Sequence, residues 1–189
     1  MALDGSSAMI ERARERLGDD RFTYVVADLQ EPLGIDEPVD AVLSTATFHW
    51  VLDHDALFRN LAQVMRPGAQ LAAQCGGQGN IASIERALRD MGEDFAGRKH
   101  YAGPERTRER LEAAGFTDVQ TWLHDEPSPI PADDLERYLE TICLGDHVVG
   151  MRDDERAAFV REVARRMPEP VIDYVRLNIR ARRADLVAQ

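Results

Sequence analysis

The stretch Val39-Asp40-Ala41-Val42-Leu43-Ser44-Thr45-Ala46-Thr47-Phe48-His49-Trp50 decides how this chain is read. Its first half is a short β-rich run that begins after Pro38. Its second half places small hydroxyl residues, two aromatics and a histidine where that strand stops. Asp53 is positioned to cap a helix running to about Arg66, with Leu57, Phe58, Leu61, Val64 and Met65 as its core stripe. Pro67-Gly68 ends it. Gln70–Cys75 follows as a strand too apolar to face solvent, which puts it in mid-sheet.

The same alternation extends in both directions. Toward the N-terminus, Ala2-Leu3-Asp4-Gly5 reads as the tail of a strand that has lost its beginning. A helix over Ser7–Leu17 is stopped by Gly18, and a strand over Phe22–Ala27 ends at Asp28. Toward the C-terminus, helices are expected over Ile81–Met91 and from Pro104 to Gly115, then a strand over Thr117–Leu123. Pro127 to Pro131 is a rigid connector. Two helices, about Asp133–Leu144 and Asp153–Arg166, precede a long last strand over Val171–Arg182. That segment also fits a helix, because Val175, Ile179 and Arg182 share the helical period. Short strands joined by helical crossovers predict an α/β fold with a mostly parallel sheet, covered on both faces, and an antiparallel last strand. The expected organisation is one domain over residues 1–189: an α/β core (1–125), a helical lid insertion (126–169) and the last strand (170–189).

Composition narrows the function. The 189 residues are 44% hydrophobic and 30% charged, enough to fill one core, and the formal net charge is −11. Such a balance opposes nucleic-acid binding by phosphate neutralisation and also a basic membrane-surface helix. No run of 18 apolar residues occurs. Cys75 and Cys143 stand alone, without CxxC spacing, which fits a reducing, cytoplasmic setting.

In a doubly wound sheet ligands bind at the carboxyl ends of strands, so the strand-ending residues carry the functional reading. Asp4 could accept two hydrogen bonds from a ribose diol, or simply form a turn with Gly5. Asp28 could accept from the exocyclic amine of an adenine, with Leu29 on the ring face, or be a plain loop carboxylate. Ser44, Thr45 and Thr47 could touch a cofactor, while His49 and Trp50 line a substrate pocket. Phe48 reads as core. His49 and His54, with Asp53 and Asp55 beside them, lack the spacing of a metal site, so no metal is expected. Gly76-Gly77-Gln78-Gly79 is a loose loop over the site mouth rather than a phosphate cradle. No Ser-His-Asp elbow is present.

In register, five pieces resemble the class I S-adenosylmethionine-dependent methyltransferases, in particular the trans-aconitate 2-methyltransferase-like branch. They are Ala2 to Ile10; Val26-Ala27-Asp28-Leu29; Val39 to Ser44 running into Phe48-His49-Trp50-Val51; Val64-Met65-Arg66-Pro67-Gly68; and Leu111-Glu112-Ala113-Ala114-Gly115-Phe116. The resemblance implies a Rossmann-like sheet and S-adenosylmethionine as cofactor. By position it assigns Asp4, with Gly5 after it, to the ribose hydroxyls. Asp28 and Leu29 fall at the adenine, Ser44 to Thr47 beside the methionine portion and the methyl group, and His49 and Trp50 at the active-site mouth.

One departure accompanies this resemblance. The family begins with a strand and a glycine-rich loop that would precede Ala2, so a strand–helix–strand unit of roughly 30 residues is incomplete. Three explanations compete: a truncated or mis-started reading of a longer enzyme, which is favoured; a short protein that closes its sheet with a second copy as a homodimer; and a non-catalytic binding relative that no longer holds the cofactor. The expected reaction is transfer of a methyl group to a small-molecule acceptor, a carboxylate oxygen foremost. Such an acceptor needs no general base but does need a cationic partner. Arg137 and Tyr138, with His147 and Arg152, are the lid residues expected to supply it. His49 is the expected catalytic residue, and would serve as base if the acceptor were a hydroxyl.

Overall fold

The apolar run after Gly68 becomes the central strand. The computed structural model describes residues 1–93 and 99–185. In chain order the elements are β1 (Ala2–Asp4), α1 (Ser7–Leu17), β2 (Tyr24–Val26), β3 (Val39–Thr45), α2 (His54–Val64), β4 (Met65–Gly76), α3 (Ala82–Asp90) and α4 (Pro104–Ala113). They continue with β5 (Phe116–Asp125), β6 (Ser128–Pro129), α5 (Leu135–Tyr138), α6 (Gly145–Val148), α7 (Asp153–Arg166), β7 (Val171–Ile172) and β8 (Val175–Arg183).

Helix ends are set as the sequence dictates. Ser6 Oγ accepts the Met9 N–H at 3.4 Å, and Asp53 Oδ1 accepts the Ala56 N–H at 2.9 Å, so both caps satisfy a donor that the first turn leaves unpaired. Gly18, at φ +75°, closes α1. One face of α2 is wholly inside: Leu57 and Phe58 are fully buried, and Phe58 meets Phe48 edge-on with ring centroids 6.0 Å apart.

The main sheet has the order β3-β4-β8-β5. β3 runs parallel to β4, while β8 lies antiparallel between β4 and β5, so three strands point one way and the last strand the other. This is the Rossmann-like arrangement expected. β8 is a strand and not a helix because Leu177, Ile179 and Ala181 alternate into the core. β1 and β2 form a separate parallel pair. The loop that follows β2 docks this pair: the Asn60 side chain donates to the carbonyls of Leu29 and Glu31, and the Asp53 N–H donates to Gln30 Oε1.

Three expectations need correction. The main sheet is not covered on both faces. Among the described residues, α2 and α4 pack on one face, whereas Leu43, Gln70, Gln74, Arg180 and Gln120 point outward on the other, mostly as a polar layer that water can solvate. The connector Pro127–Pro131 is not merely a linker: Ser128 and Pro129 pair with Ile172 and Val171. The segment between β5 and β7 joins α3 in a second core, built on Ile84, Leu88, Leu139, Leu144, Val160 and Val163. The first of its two expected helices is broken up, with a π-type turn over Leu139–Cys143 between α5 and α6.

Candidate active site

β3 ends in a sharp turn. Ala46 adopts φ +55°, a conformation that residues with a Cβ seldom take, and its N–H donates to the Gln74 carbonyl of β4 at 2.8 Å. The turn sends the chain into a single 3₁₀ turn over Phe48–Trp50. Thr47 Oγ1 donates back to the Thr45 carbonyl. His54 Nε2 lies 2.9 Å from the Phe48 carbonyl oxygen, which fixes the turn from beneath. This is the work of His54.

His49 is thereby laid against the end of β4. Its Nδ1 accepts the Gly76 N–H at 3.3 Å, and its carbonyl accepts the His100 N–H at 2.8 Å. The Trp50 and Tyr101 rings flank it at 5.3 and 5.9 Å. Burial, then the positive charges of Lys99 and Arg176, push the imidazole pKa down to about 4. Neutral, with Nδ1 accepting, the ring carries its proton on Nε2. Gly76 must be glycine here: a Cβ would lie 2.7 Å from the Tyr101 ring and 2.9 Å from Asn80 Nδ2.

Two cations meet this corner. The Lys99 side chain is only 4% exposed; its ammonium sits 4.4 Å from the Trp50 ring centroid, donates to the Cys143 carbonyl and lies 3.7 Å from Asp146. Arg176 stacks 4.1 Å over the Tyr174 ring and pairs with Glu126 at 2.7 Å. Tyr174 in turn shares a 2.8 Å hydrogen bond with Tyr138.

The other expected residues fall into two groups. Asp4 ends β1, and Asp28 lies in the loop just beyond the neighbouring strand β2. Each forms a local turn, Asp4 Oδ1 accepting from the Ser6 N–H and Asp28 Oδ1 from the Gln30 N–H. Gly5 lies beside the Ala27 carbonyl, and Leu29 packs against the main core. Leu29, Ser44, Thr45 and Thr47 line one slot between β1 and β3. The lid residues diverge. Arg137 is 80% exposed and paired with Asp134, and Arg152 caps α7 through Glu155, so neither is brought to the corner. His147 is buried against Phe159. Only Tyr138 reaches inward, through Tyr174. Sequence reading missed Lys99, Tyr101 and Arg176, which lie far from His49 along the chain. The single lysine among 23 basic residues was the one available signal.

Comparison with known proteins agrees with this geometry. A family model described as a methyltransferase domain matches residues 1–73. The chain is 31% identical over 145 residues to trans-aconitate 2-methyltransferase of Streptomyces coelicolor, covering 69% of this chain and 47% of that protein. It is 30% identical over 83 residues to malonyl-[acyl-carrier protein] O-methyltransferase of Priestia megaterium, covering 44% and 30%. It therefore spans about half or less of the length of these curated relatives. The crystal structure of a putative methyltransferase from Bacillus halodurans superposes with a TM-score of 0.61 at 16% identity, covering 97% of this chain and 82% of that one. Over residues 1–73 the chain thus matches a methyltransferase domain, and its fold is that of a solved methyltransferase-like structure. In sequence it is similar to proteins named trans-aconitate 2-methyltransferase and malonyl-[acyl-carrier protein] O-methyltransferase.

Proposed function

We propose that this chain serves S-adenosylmethionine-dependent transfer of a methyl group to a small acceptor, with a carboxylate oxygen as the nucleophile. The observation that carries the reading is a neutral His49, set against Gly76, Trp50 and Tyr101, within electrostatic reach of Lys99 and Arg176. A site with cations nearby and no strong base suits an acceptor that arrives ionised and is already nucleophilic.

The described residues fit one half of the cofactor. Asp4 at the end of β1, with Asp28 and Leu29 in the loop after the adjoining β2, offers carboxylates and an apolar face to a nucleoside. The amino-acid half meets no such partners, because the slot beside Ser44 and Thr45 is lined by no charged side chain. When bound, the cofactor supplies a methyl group on a positively charged sulfur. The chain's own part is to bind and align. Lys99 and Arg176 attract the acceptor carboxylate, and the His49 Nε2–H donates to it. Trp50 and Tyr101 wall the corner from water. His49 then acts as donor and orienter, not as the base a hydroxyl acceptor would need.

The test is methyl-ester formation from labelled S-adenosylmethionine with trans-aconitate and with malonyl thioesters, beside titration of S-adenosylhomocysteine. Lys99→Gln is expected to raise KM about tenfold or more for a dianionic acceptor and to leave S-adenosylhomocysteine affinity unchanged. Ester formation that Lys99→Gln and Arg176→Gln leave untouched would remove the carboxylate reading.

A further inference from the structure

The chain from Lys99 to Ala102 crosses the candidate site, and its two ends are tied down differently. Ala102 bridges to Gly77, and the Gln78 N–H donates to the Ala102 carbonyl at 3.0 Å. Toward the other end, His100 makes three contacts with the segment that follows β3. Its N–H donates to the His49 carbonyl at 2.8 Å, and its Nδ1 lies 3.1 Å from the Leu52 carbonyl oxygen. Its ring stacks on His54, with centroids 4.3 Å apart and planes 26° off parallel. A carbonyl oxygen only accepts, so the His100 Nδ1 carries the proton and donates. By the same argument His54 donates from Nε2 to the Phe48 carbonyl. Two stacked rings thus hold the carbonyls of Phe48 and Leu52, on either side of His49 and Trp50. Burial does only part of this work: Phe48 and Val51 are buried, whereas Trp50 and Leu52 are each 46% exposed.

We propose that His100 is the positioning residue for Lys99. By clasping the chain next to Lys99 onto the turn, it sets the ammonium 4.4 Å from the Trp50 ring centroid, where the Cys143 carbonyl and Asp146 meet it from the other side. His100 acts through its neighbour and not on the acceptor. Tyr101 depends on it less, because its hydroxyl bonds the Asn80 side chain and the next residue is fixed on Gly77. Loss of the His100 side chain therefore loosens Lys99 and leaves Tyr101 against His49. The main-chain bond to His49 survives that loss, so the effect is graded. Its consequence for the acceptor rests on the carboxylate reading of the site; the placement of Lys99 does not.

The test uses the fact that Lys99 is the single lysine of the chain. Protein labelled with carbon-13 lysine gives one ε-methylene signal, which the Trp50 ring current moves upfield of free lysine. Expected results are an upfield signal in the parent chain that Trp50→Leu abolishes and that His100→Ala moves at least halfway back. His100→Asn is expected to retain it, because the asparagine Nδ2 stands where the histidine Nδ1 did. In methyl transfer, His100→Ala is expected to raise the acceptor KM about threefold to tenfold, with kcat and S-adenosylhomocysteine affinity unchanged, and to add nothing in a Lys99→Gln background. If His100→Ala does not fold, His100→Phe carries the same expectation, since it keeps a ring on His54 and removes only the donor to Leu52.

A parent signal at the free-lysine position overturns the proposal. So does an upfield signal that Trp50→Leu or the folded His100 variant leaves in place, a His100→Asn signal that moves as far as that of His100→Ala, or a KM effect that adds to that of Lys99→Gln. If the parent chain forms no ester with any acceptor, the methyl-transfer reading falls, and the lysine signal alone decides the role of His100.

Discussion

His54 is 1% exposed, and His49 is held against Gly76 by its own Nδ1. Burial is the first cause in lowering both pKa values to about 4. A histidine lowered in the folded state takes up its proton later than in the unfolded chain. Its stabilising effect is complete above the unfolded value of 6.5 and is lost as pH falls toward 4. We expect stability to drop by a few kcal/mol between about pH 7 and about pH 5, before most carboxylates titrate. Urea unfolding at the two pH values measures it. His54→Asn should flatten that slope whatever it does to absolute stability; an unchanged slope would mean that His54 is not the group responsible.

Among the elements, the junction of β4 with the loop after it is tightly packed. Gly76 stands under Tyr101 and Asn80, and a Cβ on Gly77 would lie 2.6 Å from Leu123 and 2.9 Å from Leu177. Gly76→Ala is therefore expected to destabilise by about 1–3 kcal/mol and to shift Tyr101, which flanks His49. Calorimetry gives the first effect. Tyrosine fluorescence or a crystal structure of the variant gives the second, and a Tyr101 left in place would refute the link. The two glycines were visible in the sequence, but only as a loose loop, because what crowds them comes from elsewhere in the chain. α1, α2, α7 and the core strands β3 and β4 were legible for the opposite reason. Their signals are local: a cap at Ser6 or Asp53, a periodic apolar stripe, an unbroken apolar run. The first lid helix was misread as continuous because its apolar period runs through Leu139–Cys143, where the backbone widens into a π turn. Likewise the ends Asp4, Asp28 and Thr45 could be placed by strand order, but Lys99 and Arg176 could not, since only the fold brings them to His49.

At the scale of the molecule, two cores share the chain. One lies under β3, β4, β8 and β5; the other gathers α3 with the helices between β6 and β7. Lys99 lies between Trp50 on one side and Cys143 and Asp146 on the other, so the site is built where the two cores meet. Sequence alternation foretold the sheet but not its bare face. Gln70, Gln74 and Arg180 alternate with buried neighbours, and that period-2 pattern of polar residues was the sign that one face meets water.

β8 lies between β4 and β5, yet it is the last strand of the chain. A growing polypeptide emerging from the ribosome thus exposes β5 with nothing to pair to until residues 175–183 have left the tunnel. The four-stranded sheet is complete only once β8 has inserted between β4 and β5. A nascent chain stalled at Pro170 should remain open to protease across β5, whereas one carried past Arg183 on a linker long enough to bring β8 out of the tunnel should resist.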